Sequence, residues 1–136
     1  MEKIKLRGAQ VVDVEKNVDS VYIIAKQNKP EKVICPYCGA EVTRMRYTKA
    51  RTYKDSPIMY YMDTYLALQR VEAKCQCGKS FTVPSALVHE GSRMTGTLKS
   101  YIDFLLTNPY GLSNQEMADE AGVSEKTIRR AKKGVL

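Results

Sequence analysis

The four cysteines of this 136-residue chain form two close pairs, Cys35 with Cys38 in "CPYCG" and Cys75 with Cys77 in "CQCG". Four thiolates that two turns bring together can surround Zn²⁺ tetrahedrally at about 2.3 Å. A glycine follows each pair and permits the backbone to curl toward the sulfur atoms. In a reducing compartment such pairs favour metal over disulfides, so the spacing predicts one structural zinc bound by all four cysteines.

The second pair has one intervening residue where the first has two, which leaves other arrangements open. Two disulfides are an alternative in an oxidising compartment. Redox chemistry by Cys35 and Cys38 is another, although its usual βαβ pattern is absent. His89, the only histidine, is an alternative fourth ligand in place of Cys75 or Cys77. With four cysteine ligands no coordination position is open to water, so the site would organise structure and perform no reaction.

Basic residues exceed acidic ones and are concentrated in two places. The chain has 22 Lys and Arg against 15 Asp and Glu, a net charge of +7. Residues 41–54 contain Arg44, Arg46, Lys49, Arg51 and Lys54. Residues 124–136 contain Lys126, Arg129, Arg130, Lys132 and Lys133. These concentrations favour a polyanionic partner, with a solvated charged face as the alternative.

The first two thirds of the sequence are typical of β-structure. β-branched residues cluster at 11–14 and 21–24 around the polar segment "EKNVDS", which predicts a hairpin. A basic loop is expected over 41–54. "TYLALQRVEAKC" then predicts a strand that leads to the second cysteine pair, with Val71 and Ala73 on one face and Arg70 and Glu72 on the other.

After a connector at 85–96, the apolar period becomes that of a helix. Leu98, Ile102 and Leu105 mark a helix over 97–107, which Pro109 ends. Ser113 with Glu116 predicts a capping box that opens a second helix, and Ser124 predicts the cap of a third. The expected fold class is α+β, with a β hairpin and zinc-ribbon-like domain at 1–84 and a three-helix domain at 97–136.

The last two helices carry the packing signature of a helix-turn-helix. Ala118 allows a close helix crossing, Gly122 tolerates a positive φ in the turn, and Ile128 anchors the second helix inside. A small helical hairpin with a charged surface is the alternative. If Ile128 faces inward, the polar residues of this helix face a DNA major groove. The predicted contacts are Ser124, Glu125, Lys126, Thr127, Arg129, Arg130, Lys132 and Lys133, with Arg44, Arg46, Lys49 and Arg51 on phosphate.

No run approaches the roughly 18–20 apolar residues of a membrane span, and the first ten residues lack the apolar middle of a signal peptide. The expected location is therefore cytoplasmic, on the nucleoid when bound, with no membrane partner. Two-fold symmetry is common among helix-turn-helix proteins. A homodimer is compatible with that habit, although no dedicated dimerisation segment is evident.

The order of these parts resembles the N-terminal region of the ISL-three family of bacterial insertion-sequence transposases. The resemblance rests on "VICPYCGAE", "RMRYTKARTYKDSPI", "LALQRVEAKCQCGKSFTVP" and "SNQEMADEAGVSEKTIRRAKKG", and it spans residues 8–133. It implies that Cys35, Cys38, Cys75 and Cys77 occupy the zinc positions of the family. The catalytic ribonuclease-H-like domain of the family has no counterpart in this sequence, so we expect no enzymatic activity.

The sequence thus predicts a sequence-specific double-stranded DNA-binding protein with one structural zinc, a small transcriptional regulator of a phage or mobile element. Two other functions are open. The chain could be a protein-interaction module that occupies the nucleic-acid site of a host protein. It could also be a truncated transposase that competes for transposon ends.

Overall fold

The computed structural model describes residues 6–59 and 62–135, and within them the fold is α+β, as the sequence predicts. No helix in these ranges has the length and apolar character needed to cross a bilayer. The strands are β1 (Ala9–Lys16), β2 (Ser20–Gln27), β3 (Val33–Ile34), β4 (Glu41–Val42), β5 (Met45–Met59), β6 (Met62–Lys74) and β7 (Ser80–Thr82). The helices are α1 (Gly96–Leu106), α2 (Asn114–Ala121) and α3 (Glu125–Lys132).

Strand β6 is the centre of a mixed five-stranded sheet with the order β1-β2-β6-β5, in which β7 also pairs with β6. The predicted hairpin is confirmed: β1 and β2 are antiparallel, and the backbone N–H of Asn17 donates to the carbonyl of Ser20 at 2.8 Å in the turn. β2 runs parallel to β6, whereas β5 and β7 run antiparallel to it. β3 and β4 form a separate two-stranded sheet that carries the first cysteine pair between them.

The prediction of a basic loop over 41–54 is wrong, because β5 begins at Met45 and pairs along its length with β6. Its basic residues alternate with β-branched and aromatic ones, among them Tyr47, Thr52 and Tyr53, which favour an extended backbone. A register shift between Tyr47 and Ala50 gives the strand one extra residue. The charge in this segment concealed a strand pattern.

The two halves of β6 bury opposite faces. In the first half Leu66 and Leu68 are buried, and in the second half Val71 and Ala73 are buried. The sheet cluster on the first face contains Ala9, Ile23, Ala25, Tyr53, Leu66, Leu68 and Val88. The metal-end cluster on the second face contains Cys35, Val42, Val71, Ala73, Cys75 and Val83. A single strand therefore carries two small cores, one on each side of the sheet.

Arg70 lies where the buried face changes, and the structure buries it to 2% exposure although the sequence placed it with polar neighbours. Its guanidinium donates to Gln27 Oε1 at 3.2 Å, to the hydroxyl of Tyr53 at 3.0 Å and to the carbonyl of Val83 at 2.9 Å. An ion pair with Glu90 at 2.9 Å balances the charge. Burial lowers the pKa of Arg70, but its bonds to Glu90 and Tyr53 more than offset this and leave the pKa above the ordinary value.

The three helices form a third core, the helical cluster. Both predicted caps are confirmed: Ser113 and Glu116 form a capping box at α2, and Ser124 accepts from the N–H of Thr127 at α3. Gly122 ends α2 with φ 72°, a conformation that favours glycine. The cluster contains Met94, Leu98, Ile102, Leu105, Met117, Ala118, Ala121 and Ile128.

The segment 85–96 connects the two parts of the chain and also packs between them. Val88 belongs to the sheet cluster and Met94 to the helical cluster. The N–H of Lys54 donates to the carbonyl of Arg93 at 2.7 Å, and the N–H of Thr95 donates to the carbonyl of Lys54 at 2.9 Å. The segment thus adds a short parallel bridge to the edge of β5.

We expect Arg70→Met to destabilise the protein by about 3 kcal/mol, because it leaves buried acceptors and a carboxylate without their donor. Urea unfolding of the metal-loaded protein measures this free energy. Arg46→Met is the matched control, since Arg46 also pairs with a carboxylate at 2.9 Å but is 77% exposed. Its cost should stay below about 1 kcal/mol. Equal effects of the two variants would contradict the importance of the Arg70 network.

Candidate metal centre and basic surfaces

The side chains of Cys35, Cys38, Cys75 and Cys77 converge, with all four sulfur atoms within 4.8 Å of one another. The Sγ atoms of Cys35 and Cys77 are 3.9 Å apart, and those of Cys38 and Cys75 are 3.5 Å apart. A tetrahedral site with Zn–S distances of about 2.3 Å has sulfur atoms about 3.8 Å apart. These separations are too long for disulfides, whose sulfurs lie about 2.05 Å apart. The four thiols could hold a metal ion and are compatible with a structural zinc.

The two cysteine turns have the same backbone construction despite their different lengths. In the first turn the N–H of Cys35 donates to the carbonyl of Ala40 at 2.9 Å, and the N–H of Gly39 donates back to Cys35 at 2.9 Å. In the second turn Cys75 donates to Lys79 and Gly78 donates to Cys75, both at 3.0 Å. Each glycine has a positive φ, 75° and 90°. The shorter turn closes one residue earlier and still presents both sulfurs.

Each turn supplies one buried and one exposed cysteine. Cys35 and Cys75 are buried in the metal-end cluster, whereas Cys38 and Cys77 are exposed. Burial raises the pKa of the Cys35 thiol, but hydrogen bonds from the backbone N–H groups of Tyr37 and Cys38 and from the thiols of Cys38 and Cys75 together lower the pKa to about 7. The inner thiol is therefore readily converted to the thiolate that a metal requires.

His89 is not part of this group of ligands. It lies in the 85–96 segment, where its backbone N–H donates to the carbonyl of Met94 at 3.0 Å. The four cysteines form a complete ligand set for a tetrahedral ion without it.

The exposed residues of α3 are basic. Ile128 is fully buried in the helical cluster, and the side chains turned away from it include Lys126, Arg130 and Lys133, spaced by four and three residues. Lys132 is also exposed. The four other predicted DNA contacts of this segment already have partners in the protein. The hydroxyl of Ser124 caps the helix and lies 3.0 Å from that of Thr127, and Arg129 pairs with Glu125 at 3.1 Å.

The four predicted phosphate contacts are all exposed: Arg44, Arg46, Lys49 and Arg51. Among the described residues, no hydrogen bond or ion pair connects any of them to α3. Arg46 is opposite Glu72, and Arg51 is opposite Leu68, so both share the face of β6 that carries Arg70. Because of the register shift, these two positions share a face although one number is even and the other odd. Lys54 is opposite Tyr65 and belongs to the other face.

A groove of about 550 Å³ separates α3 from the sheet. Its polar lining consists of Lys54, Tyr65, Ser92, Arg93, Ser124, Thr127 and Arg130. Nζ of Lys54 lies 2.8 Å from Asp63 and 4.5 Å from the ring centre of Tyr65, which stacks on Tyr22 at 4.8 Å. Tyr65 and Arg93 are not among the residues that the sequence predicts to contact DNA. No local pattern could have found Arg93, because the bridge between its segment and β5 joins residues distant in sequence.

Comparisons with protein-family models, with curated proteins and with solved structures each found no match to this chain.

We expect the protein to bind one Zn²⁺ per chain and to lose it with Cys75→Ser or Cys77→Ser. Removal of the ion by a chelator should lower the unfolding temperature, since zinc binding contributes about 10–16 kcal/mol in small zinc peptides. Affinity should also fall on acidification, because protons compete for the thiolates. Chromogenic zinc release and thermal unfolding measure these effects. His89→Ala should keep full stoichiometry, and loss of zinc in that variant would contradict the four-cysteine site.

Proposed function

We propose that this chain is a sequence-specific double-stranded DNA-binding protein in which α2, Gly122 and α3 act as a helix-turn-helix. The main support for this proposal is the basic outer face of α3. Lys126, Arg130 and Lys133 are exposed there, while Ile128 on the inner side is buried in the helical cluster. An α-helix with its side chains is about 10–12 Å in diameter and therefore fits the major groove, which is about 12 Å wide. Short basic helices of this kind read base edges.

The four-cysteine site serves as a zinc-ribbon-like structural element in this proposal. Its ion, when bound, joins β3 and β4 to the end of β6, and it would hold a part of the chain whose own core is only the small metal-end cluster. All four ligand positions are filled by protein side chains, so the ion has no role in a reaction. The proposed protein binds DNA without cutting it.

The division of roles within α3 follows from its contacts. Arg130 and Lys126 are exposed at the centre of the outer face and are the proposed base-reading residues. Arg129 forms an ion pair with Glu125 on the side of the helix, and it is better placed to contact phosphate than a base. We propose that the protein regulates transcription for a phage or mobile element and is bound to the nucleoid. This role agrees with the resemblance of the sequence to transposase DNA-binding regions.

Selection from a random duplex pool with the zinc-loaded protein tests the proposal, and a family of related sequences should be enriched. Binding should depend steeply on salt. If about six phosphates are neutralised, affinity falls roughly a thousandfold between 50 and 200 mM salt. Fluorescence anisotropy at several salt concentrations measures the slope. A slope near zero, or a pool without enrichment, would reject specific DNA binding.

Arg130→Ala should weaken binding to the selected duplex by about 1–3 kcal/mol and relax preference at one base position. Repeating the selection with the variant shows whether a position has lost its preference. Lys99→Ala is the control, since Lys99 lies on α1 and pairs with Asp103 on the same helix. A uniform loss over all sequences for Arg130→Ala would reassign this residue to phosphate.

One observation favours a second candidate, a protein-interaction module. Beside the first cysteine turn, Ile34 and Tyr37 are each 59% exposed. They lie three residues apart in sequence, and exposed apolar side chains that form a patch mark contact sites. A stoichiometric protein partner retained after nuclease treatment, together with failure of the duplex selection, would favour this function.

A further inference from the structure

The groove between α3 and the sheet is lined by basic residues and borders the proposed DNA-reading helix, but it has no role in the proposed function so far. We propose that it takes the sugar-phosphate backbone of one DNA strand beside the bases read by α3, with Arg93 as the principal phosphate contact. The inference rests on the proposed function and assigns a second surface to the same complex.

The electrostatics of the groove favour an anion. Of the described residues that line it, three are basic and none is acidic: Lys54, Arg93 and Arg130. Lys54 is paired with the carboxylate of Asp63 at 2.8 Å, so this lysine contributes little net charge. Arg93 and Arg130 are exposed, and no carboxylate among the described residues forms an ion pair with either. Since Arg130 is a proposed base-reading residue, Arg93 is the arginine that remains to bind phosphate.

The groove also runs along the correct side of α3. Thr127 and Arg130 both line the groove, and Arg130 also belongs to the outer face of α3 with Lys126 and Lys133. When a helix occupies a major groove, the backbones that border the groove lie along its flanks. A strand that passes the Thr127 flank would enter the space between α3 and Tyr65.

Arg93 is held in place by its own backbone. Its carbonyl accepts from the N–H of Lys54 at 2.7 Å, and its neighbours Met94 and Thr95 are buried. The exposed side chain therefore projects from a fixed point at the edge of the sheet. A contact of this kind loses less conformational entropy on binding than one on a mobile loop.

The proposal distinguishes Arg93 from the basic residues on the other face of β5. Arg46 shares the face of Arg70, whereas the groove is bordered by Lys54 and Tyr65 on the opposite face. A duplex that enters the groove is on the wrong side of the sheet for Arg46. Replacement of Arg93 should therefore lower the affinity for DNA, whereas replacement of Arg46 should leave it unchanged.

The experiment is anisotropy titration of the zinc-loaded protein with its selected duplex and with an unrelated duplex, at several salt concentrations. Arg93→Ala should weaken both duplexes about tenfold at 0.1 M salt and reduce the salt slope by about 0.9, the value for one phosphate. The ratio of the two affinities should not change. Arg93→Lys, which restores the charge, should recover most of the slope. Arg46→Ala should match wild type.

The outcomes separate this inference from the proposed function. If wild type enriches no duplex, the proposed function fails. If wild type binds its selected duplex and Arg93→Ala retains its affinity and slope, the groove is not a strand site although DNA binding stands. A loss in Arg46→Ala without one in Arg93→Ala would move the backbone contact to the other face. Alanine at 93 keeps the carbonyl that Lys54 needs, and equal thermal unfolding verifies that the fold is retained.

Discussion

The buried guanidinium of Arg70 is the interaction on which the arrangement of the whole chain depends. It lies at the point where β6 exchanges one buried face for the other, and it bonds to β2 through Gln27 and to β5 through Tyr53. Gln27 also accepts from the N–H of Val71 at 3.0 Å, where β2 no longer pairs with β6. The N–H donors of the guanidinium point in fixed directions, so each acceptor must lie at a defined position around Arg70. Apolar packing imposes no such directional requirement on neighbouring strands.

On either side of this point, the two ends of β6 and β5 carry different structures. One end continues into the cysteine turns, whose sulfurs are collected by loops that each bend at a glycine. Near the other end, the turn between α2 and α3 packs beside the sheet, and a methyl group at Gly122 would lie at ordinary contact distances of 3.5 Å from Pro57 and 3.7 Å from Asp63. Gly122 is thus required by its positive φ of 72°, whereas the space in front of it would accept a methyl group. The sheet holds the proposed zinc and DNA elements at a fixed separation.

Features set by neighbours in sequence could be predicted, and features set by distant residues could not. The hairpin, the capping box, the burial of Ala118 and Ile128 and the positive φ of Gly122 follow from local spacing, and the structure has each of them. The convergence of the four cysteines is long-range, and it could be predicted only because a metal ion needs ligands from two such pairs. Strand β5 was missed because its charges concealed its β-branched and aromatic residues. The burial of Arg70 depends on Gln27, Tyr53 and Glu90, and no pattern around residue 70 reveals those contacts.

The bridge between residues 93–95 and β5 has a consequence for how the chain could evolve. Since this bridge fixes the start of α1 at Lys54, the orientation of the helices is set by the register of a strand rather than by the length of a linker. One residue inserted into β5 before Lys54 would turn its side chain to the opposite face, as the extra residue near Lys49 already does for the part of the strand beyond it. Small insertions there would change the orientation of α3 relative to the sheet. Insertions in the turn at 107–112 would leave the bridge to β5 intact.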